Sequence, residues 1–169
     1  MNIDRIVSEL AANGRTFHAL LAGSPKELYR YTEHPGAWCV LEIVCHLYDE
    51  EREDFRARTE QVLRDPAIPL VPIDPTGWVQ QRRYIDREFA TGLEGFLNER
   101  ERSVAWLRSL TNARWENVHR NPTLGPMTAR SFLTNWLAHD YLHLRQILRI
   151  KHNYLQTESG ESLSYAGTW

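Results

Sequence analysis

Asp65-Pro66-Ala67-Ile68-Pro69-Leu70-Val71-Pro72-Ile73-Asp74-Pro75 decides how the rest of the chain is read. Four prolines so close together cannot lie inside a helix, because each lacks an N–H and its ring clashes with the preceding turn. The remaining prolines, Pro25, Pro35, Pro122 and Pro126, leave residues 1–24, 36–65, 76–121 and 127–169 free of proline. This punctuation predicts four long helical segments rather than many short strands. Ile68, Leu70, Val71 and Ile73 make the segment too apolar for a free linker, so it is predicted to pack along the molecule as a crossover.

Working outward, each proline-free stretch carries a helical period. Ile3, Ile6, Leu10, Phe17, Leu20 and Leu21 recur at three- and four-residue steps up to Gly23. The second helix is predicted from Cys39, which stands at the cap position with Glu42 three residues on, to about Arg64, with Val40, Ile43, Val44, Leu47, Phe55 and Val62 inward. A short lead-in, Trp78 to Tyr84, precedes a third helix carrying Phe89, Leu93, Phe96, Val104, Leu107 and Leu110, with Gly92 or Gly95 as a place to kink. After a connection over 112–127, the fourth helix is expected from Thr128 to about His152. The predicted fold class is therefore all-α: a four-helix bundle with a long proline-rich crossover between helices 2 and 3. Residues 1–153 would form the bundle, and 154–169, with Leu163, Tyr165 and Trp169, a tail packed on it or on a partner subunit.

A chain of 169 residues, 42% hydrophobic and 25% charged, is large enough for one core without disulfide or metal staples. Its 20 basic and 22 acidic residues give a net charge of -2 and are interspersed, which excludes the basic stripe of a nucleic-acid binder. There is no apolar run of membrane-spanning length and no basic-then-apolar start, so no membrane partner and a cytoplasmic location are expected. Cys39 and Cys45 fit no common zinc or redox spacing and read as reduced thiols.

The fourth helix breaks its own pattern. Its inward stripe is Phe132, Trp136, His139, His143, Ile147 and Ile150, so two imidazoles stand where apolar side chains belong. At i,i+4 they share a face and can reach one ion. A pair of core histidines hydrogen-bonded to neighbours is the alternative. A third ligand must come from another helix: His46, within the apolar part of helix 2, is best placed, with His18 as second choice. His34, His119 and His152 read as surface residues, and Asp140 as a weaker ligand. Glu42 is explained by capping. Glu50, four residues after His46, would orient that ring, act as a base, or lie in solvent. Arg100 would pair with Glu50 or Asp140, or receive an anionic substrate. Three neutral nitrogens with a vacant position describe a catalytic rather than a structural site, and Glu-x-x-His pairs of the di-iron type are missing.

Trp38-Cys39-Val40-Leu41-Glu42-Ile43-Val44-Cys45-His46-Leu47 and His139-Asp140-Tyr141-Leu142-His143-Leu144-Arg145-Gln146-Ile147 together resemble the DinB-like superfamily, which includes YfiT-type proteins. Cys39 stands where that pattern has Ser or Thr. The resemblance implies a bundle with a crossover, a divalent ion (Zn, Ni or Fe) on His46, His139 and His143, and a homodimer. It also implies a small-molecule substrate and either S-transfer from a low-molecular-weight thiol or hydrolysis. A non-catalytic, metal-stabilised bundle that binds a small ligand or mediates dimerisation is the competing expectation.

Overall fold

A computed structural model of the chain describes residues 2–121 and 125–167; Pro122 and Trp169 lie outside them. Helix α1 spans Ile3–Leu21, capped by the Asn2 side chain, which accepts from the Asp4 amide. A single turn, α2 (Lys26–Tyr29), leads to α3 (Val40–Glu50), where Glu42 Oε2 accepts from the Cys39 amide at 2.9 Å. The helical run then passes through a π-helical segment, Glu51–Arg56, into α4 (Ala57–Arg64). Helix α5 (Pro75–Gln81) starts three residues before the predicted lead-in, because Asp74 caps it and Pro75 fits the first helical position, whose N–H has no helical partner. A 3₁₀ turn, Tyr84–Asp86, precedes α6 (Phe89–Ser109).

Helix α6 is unbroken at its glycines. A Cβ on Gly95 would lie 3.2 Å from the Tyr48 ring, and one on Gly92 3.5 Å from Val44, so both serve the close approach of α3 rather than a kink. The third connection holds an element that the sequence reading lacks, a hairpin of β1 (Val118–Asn121) and β2 (Gly125–Thr128) in antiparallel register, Val118 opposite Thr128. Thr128 then caps α7 (Ala129–Ser159), which continues seven residues beyond His152. No helix among the described residues is long and apolar enough to cross a membrane.

Contacts between named residues give the helix directions. Along α3 and the π segment, Val44, Tyr48 and Glu51 meet Gly92, Gly95 and Arg100 in ascending order, so α3 and α6 run the same way. Asn13 meets Asp140 and the Leu20 carbonyl meets Lys151, so α1 and α7 also run together. Glu51 meets Trp136 while His46 meets His143, so the two pairs oppose each other. Helices running the same way need a return connection, and residues 65–88 join α4 to α6. Its proline-rich part is held by α4: Gln61 Nε2 donates to the Ile68 and Pro69 carbonyls and Arg58 to that of Val71.

The interior is layered. One apolar cluster gathers Phe17, Ile43, Leu47, Phe96 and Ile147, and another gathers Leu10, Phe55, Val104, Trp136 and Leu137. Between these clusters the long helices and the π segment bury polar residues: Asn13, His46, Glu50, Glu51, Arg100, Asp140 and His143. Burying such a layer is costly unless its groups satisfy one another.

Asp49 shows how α5 is locked onto α3. Its carboxylate accepts from Arg52 (2.6 Å), Arg82 (2.6 Å) and Tyr84 Oη (2.7 Å). Burial alone would raise its pKa, but the hydrogen bonds from Tyr84, Arg82 and Arg52 outweigh it and leave the group below its ordinary 3.8. A depressed carboxylate adds stability above its unfolded pKa and loses it as pH falls through the folded value. Asp49→Asn is therefore expected to lower the urea midpoint more at pH 7 than at pH 2.5, which lies below the ordinary 3.8. Equal losses at both pH values would refute the ionic role.

Candidate metal centre

Helix α3 contributes His46 and α7 contributes His139 and His143. His139 Nε2 lies 3.3 Å from His46 Nε2 and 3.1 Å from His143 Nε2, and the three ligand atoms fall within 4.8 Å of one another. Nitrogens set 90–109° apart around an ion at about 2.1 Å would be separated by about 3.0–3.4 Å. The spacing thus fits one ion. Hydrogen bonding does not account for it equally well, since a ring nitrogen carries either one proton or one lone pair. His139 Nε2 can therefore satisfy only one of its two close neighbours.

The outer atoms fix the rings. His143 Nδ1 lies 2.9 Å from Gln146 Oε1; an amide oxygen only accepts, so the proton is on Nδ1 and the Nε2 lone pair faces the other rings. His46 Nδ1 is buried without a hydrogen-bond partner, although the Pro75 carbonyl favours its protonated form. Burial, then the neighbouring His143, pushes the pKa of His46 down to about 3, and burial with His143 and His46 pushes His139 to about 2. Burial also lowers His143. All three rings are neutral at pH 7, the form in which an imidazole can hold a metal. Trp38 packs 5.0 Å from the His46 ring and Phe55 4.9 Å from that of His139. The His139 side chain keeps 19% of its surface open.

Glu50 is buried, with Oε2 4.0 Å from His139 Nε2 and Oε1 unpartnered. Burial, then the charge of Asp54, raises its pKa well above the carboxylate range. It is the acidic side chain closest to the rings among the described residues, but it falls outside the compact ligand set.

Arg100 pairs with Glu51 and Asp140, not with Glu50. Its five N–H groups reach both oxygens of Glu51 (2.9 Å each), both of Asp140 (2.6 and 2.7 Å) and the Leu10 carbonyl (3.0 Å). Asn13 Nδ2 adds a bond to Asp140, and Trp136 Nε1 one to Glu51. At 2% exposure, with every donor used, Arg100 has none left for a substrate. Asp140 is committed to the same network and is not a ligand. The role of Glu51 was not visible in the sequence: the π-helical turn, not the helical period, aims it inward.

The other histidines lie elsewhere. His18 is exposed and borders a groove between α1 and α6, and His34 is exposed. His119, expected at the surface, is buried with Nδ1 3.0 Å from the Pro66 carbonyl, because the hairpin folds it under the proline segment. Cys39 and Cys45 are buried free thiols; burial raises their pKa to about 11 and about 12, which keeps them protonated.

Residues 9–147 match the sequence profile of the DinB superfamily. Among solved structures, the chain is similar to that of YfiT from Bacillus subtilis, described as a probable metal-dependent hydrolase with an unusual four-helix bundle topology. Identity is 19%, the TM-score is 0.78, and the match covers 95% of this chain and 89% of that one. No curated protein matches the chain.

Proposed function

The chain belongs to the DinB superfamily, and from that premise we propose that it is a metal-dependent enzyme acting on a small molecule, with a divalent ion held by His46, His139 and His143. The observation that carries the reading is the convergence of three neutral Nε2 atoms, with that of His139 3.3 and 3.1 Å from those of His46 and His143. The ion would supply Lewis acidity and lower the pKa of a water or thiol nucleophile. Within the protein, Gln146 holds the His143 ring, Trp38 and Phe55 keep bulk water from its neighbours, and Glu50, kept protonated by its burial, stands beside His139 as a proton donor rather than a base. Arg100 acts as a positioning residue, anchoring Asp140 and with it the turn of α7 that bears His139.

A purely structural ion would be closed by four protein groups. Three rings with a solvent-reachable His139 favour an open position, and hence catalysis. Protein purified without a nickel column is expected to hold about one divalent ion per chain, read by elemental analysis. Failure to hold Zn, Ni or Fe after reconstitution would sink the proposal. A panel of thiols with a generic electrophile, set against ester and amide substrates, separates thiol transfer from hydrolysis.

A further inference from the structure

We propose that the groove between α1 and α6, about 690 Å³ in volume, binds a small molecule with an elongated apolar body and one anionic head, a medium-chain carboxylate being the simplest case. The site is separate from the three histidines, which stand on α3 and α7, so it holds or fails independently of the metal reading.

The groove is deep because its walls are short. Phe17 packs against Phe96, and the Leu10 carbonyl accepts from Arg100, so α1 and α6 run in opposite directions along the seam. Between them Ala11 and Gly14 face Val104 and Ala105, and none of these side chains is long enough to fill the space. The floor reaches the buried polar layer: Arg100 is 2% exposed, and a Cβ on Gly14 would stand 3.2 Å from Arg100 Cγ. Because the donors of Arg100 are spent on Glu51, Asp140 and the Leu10 carbonyl, the floor offers its methylene stem, which is apolar. A hollow of this volume falls within the range of about 300–1,000 Å³ found for small-ligand sites.

The rim charges indicate where the head lies. Arg108 stands at one end of the groove, exposed and with no hydrogen bond or ion pair among the described residues. Arg15 is less available: it donates to the Ala11 carbonyl of its own helix and shares the middle of the groove with Glu101, the one carboxylate among the described lining residues. Leu97 and His18 stand at the other end. From Leu97 to Arg108 the groove follows about 16 Å of α6, room for an extended carbon chain. A guanidinium fork takes both oxygens of a carboxylate side by side. One free fork at the end of an apolar trough thus complements one anionic head on an apolar body.

The test follows backbone amide chemical shifts of the isotope-labelled full chain titrated with decanoate below its micellar range. The expected shifts gather at Ala11, Gly14, Val104 and Ala105 and saturate. Acetate, which carries the head alone, and decanol, which carries the body alone, should each bind about tenfold more weakly or worse. Arg108→Gln should weaken decanoate about tenfold, the effect of losing one charged hydrogen-bonding partner, and leave decanol unchanged. High salt should shrink the preference for decanoate as the charge is screened. Ala105→Trp, at an exposed helix position where the ring can fill the groove without entering the core, should abolish the shift at Gly14. Shifts scattered over the surface, equal affinity for decanol and decanoate, or unchanged decanoate binding in either variant overturns the proposal. So does broadening along the seam that grows with protein concentration and ignores decanoate, which would assign the groove to a second copy of the chain.

Discussion

Replacing His143 with alanine is expected to strip the protein of its metal, lowering affinity by well over a hundredfold, as measured by competition with a chromophoric chelator. Two lone pairs remain where three converged, on Nε2 atoms 3.3 Å apart, so the ion loses a third of its protein ligands. Removing only the partner of His143 sets the scale. Gln146→Ala leaves all three nitrogens in place and should cost about 10–100-fold, the range for outer partners of a ligand. The fold itself should survive His143→Ala, since alanine suits a helix interior. The readout in stability is specific: excess metal should raise the wild-type unfolding free energy by about 2.7 kcal/mol at a hundred times its dissociation constant, and should leave His143→Ala unmoved. A variant that retained one ion per chain, or gained the same stabilisation, would refute the three-histidine site.

The largest loss of stability is expected from Arg100→Met. The guanidinium is the only cation bonded to Glu51 and Asp140 among the described residues, in a layer enclosed by apolar clusters on both sides. Removing one partner of such a buried network strands the remaining charges, at a cost of about 3–5 kcal/mol. Adding Glu51→Gln and Asp140→Asn to the same variant removes the stranded charges and should recover much of that loss, because the desolvation penalty of a neutral amide is far smaller. Urea denaturation of the single and triple variants measures both. A cost below about 1 kcal/mol for the single change would mean that water reaches the layer and that Arg100 anchors nothing. The charge network and the metal centre share α7, so Arg100→Met should also weaken metal binding.

Much of this protein is legible in its order of residues. Proline punctuation fixes where helices stop, because the missing N–H acts locally, and apolar residues at three- and four-residue steps fix which face of each helix turns inward. Those two signals separate the helices and expose His139 and His143 as polar intrusions in a core stripe; the Trp38–Leu47 segment adds His46. Local signals fail where the deciding contact is distant. The π-helical turn at 51–56 turns Glu51 toward Arg100, forty-nine residues away, and a strict 3.6-residue period points to Glu50 instead. The hairpin that buries His119 under Pro66 joins residues fifty-three apart. The sequence by itself determined the helices, their apolar faces and the three candidate ligands. Only the tertiary structure decided which carboxylates meet Arg100 and which acid stands beside the rings, because those outcomes depend on the directions and registers in which the helices pack.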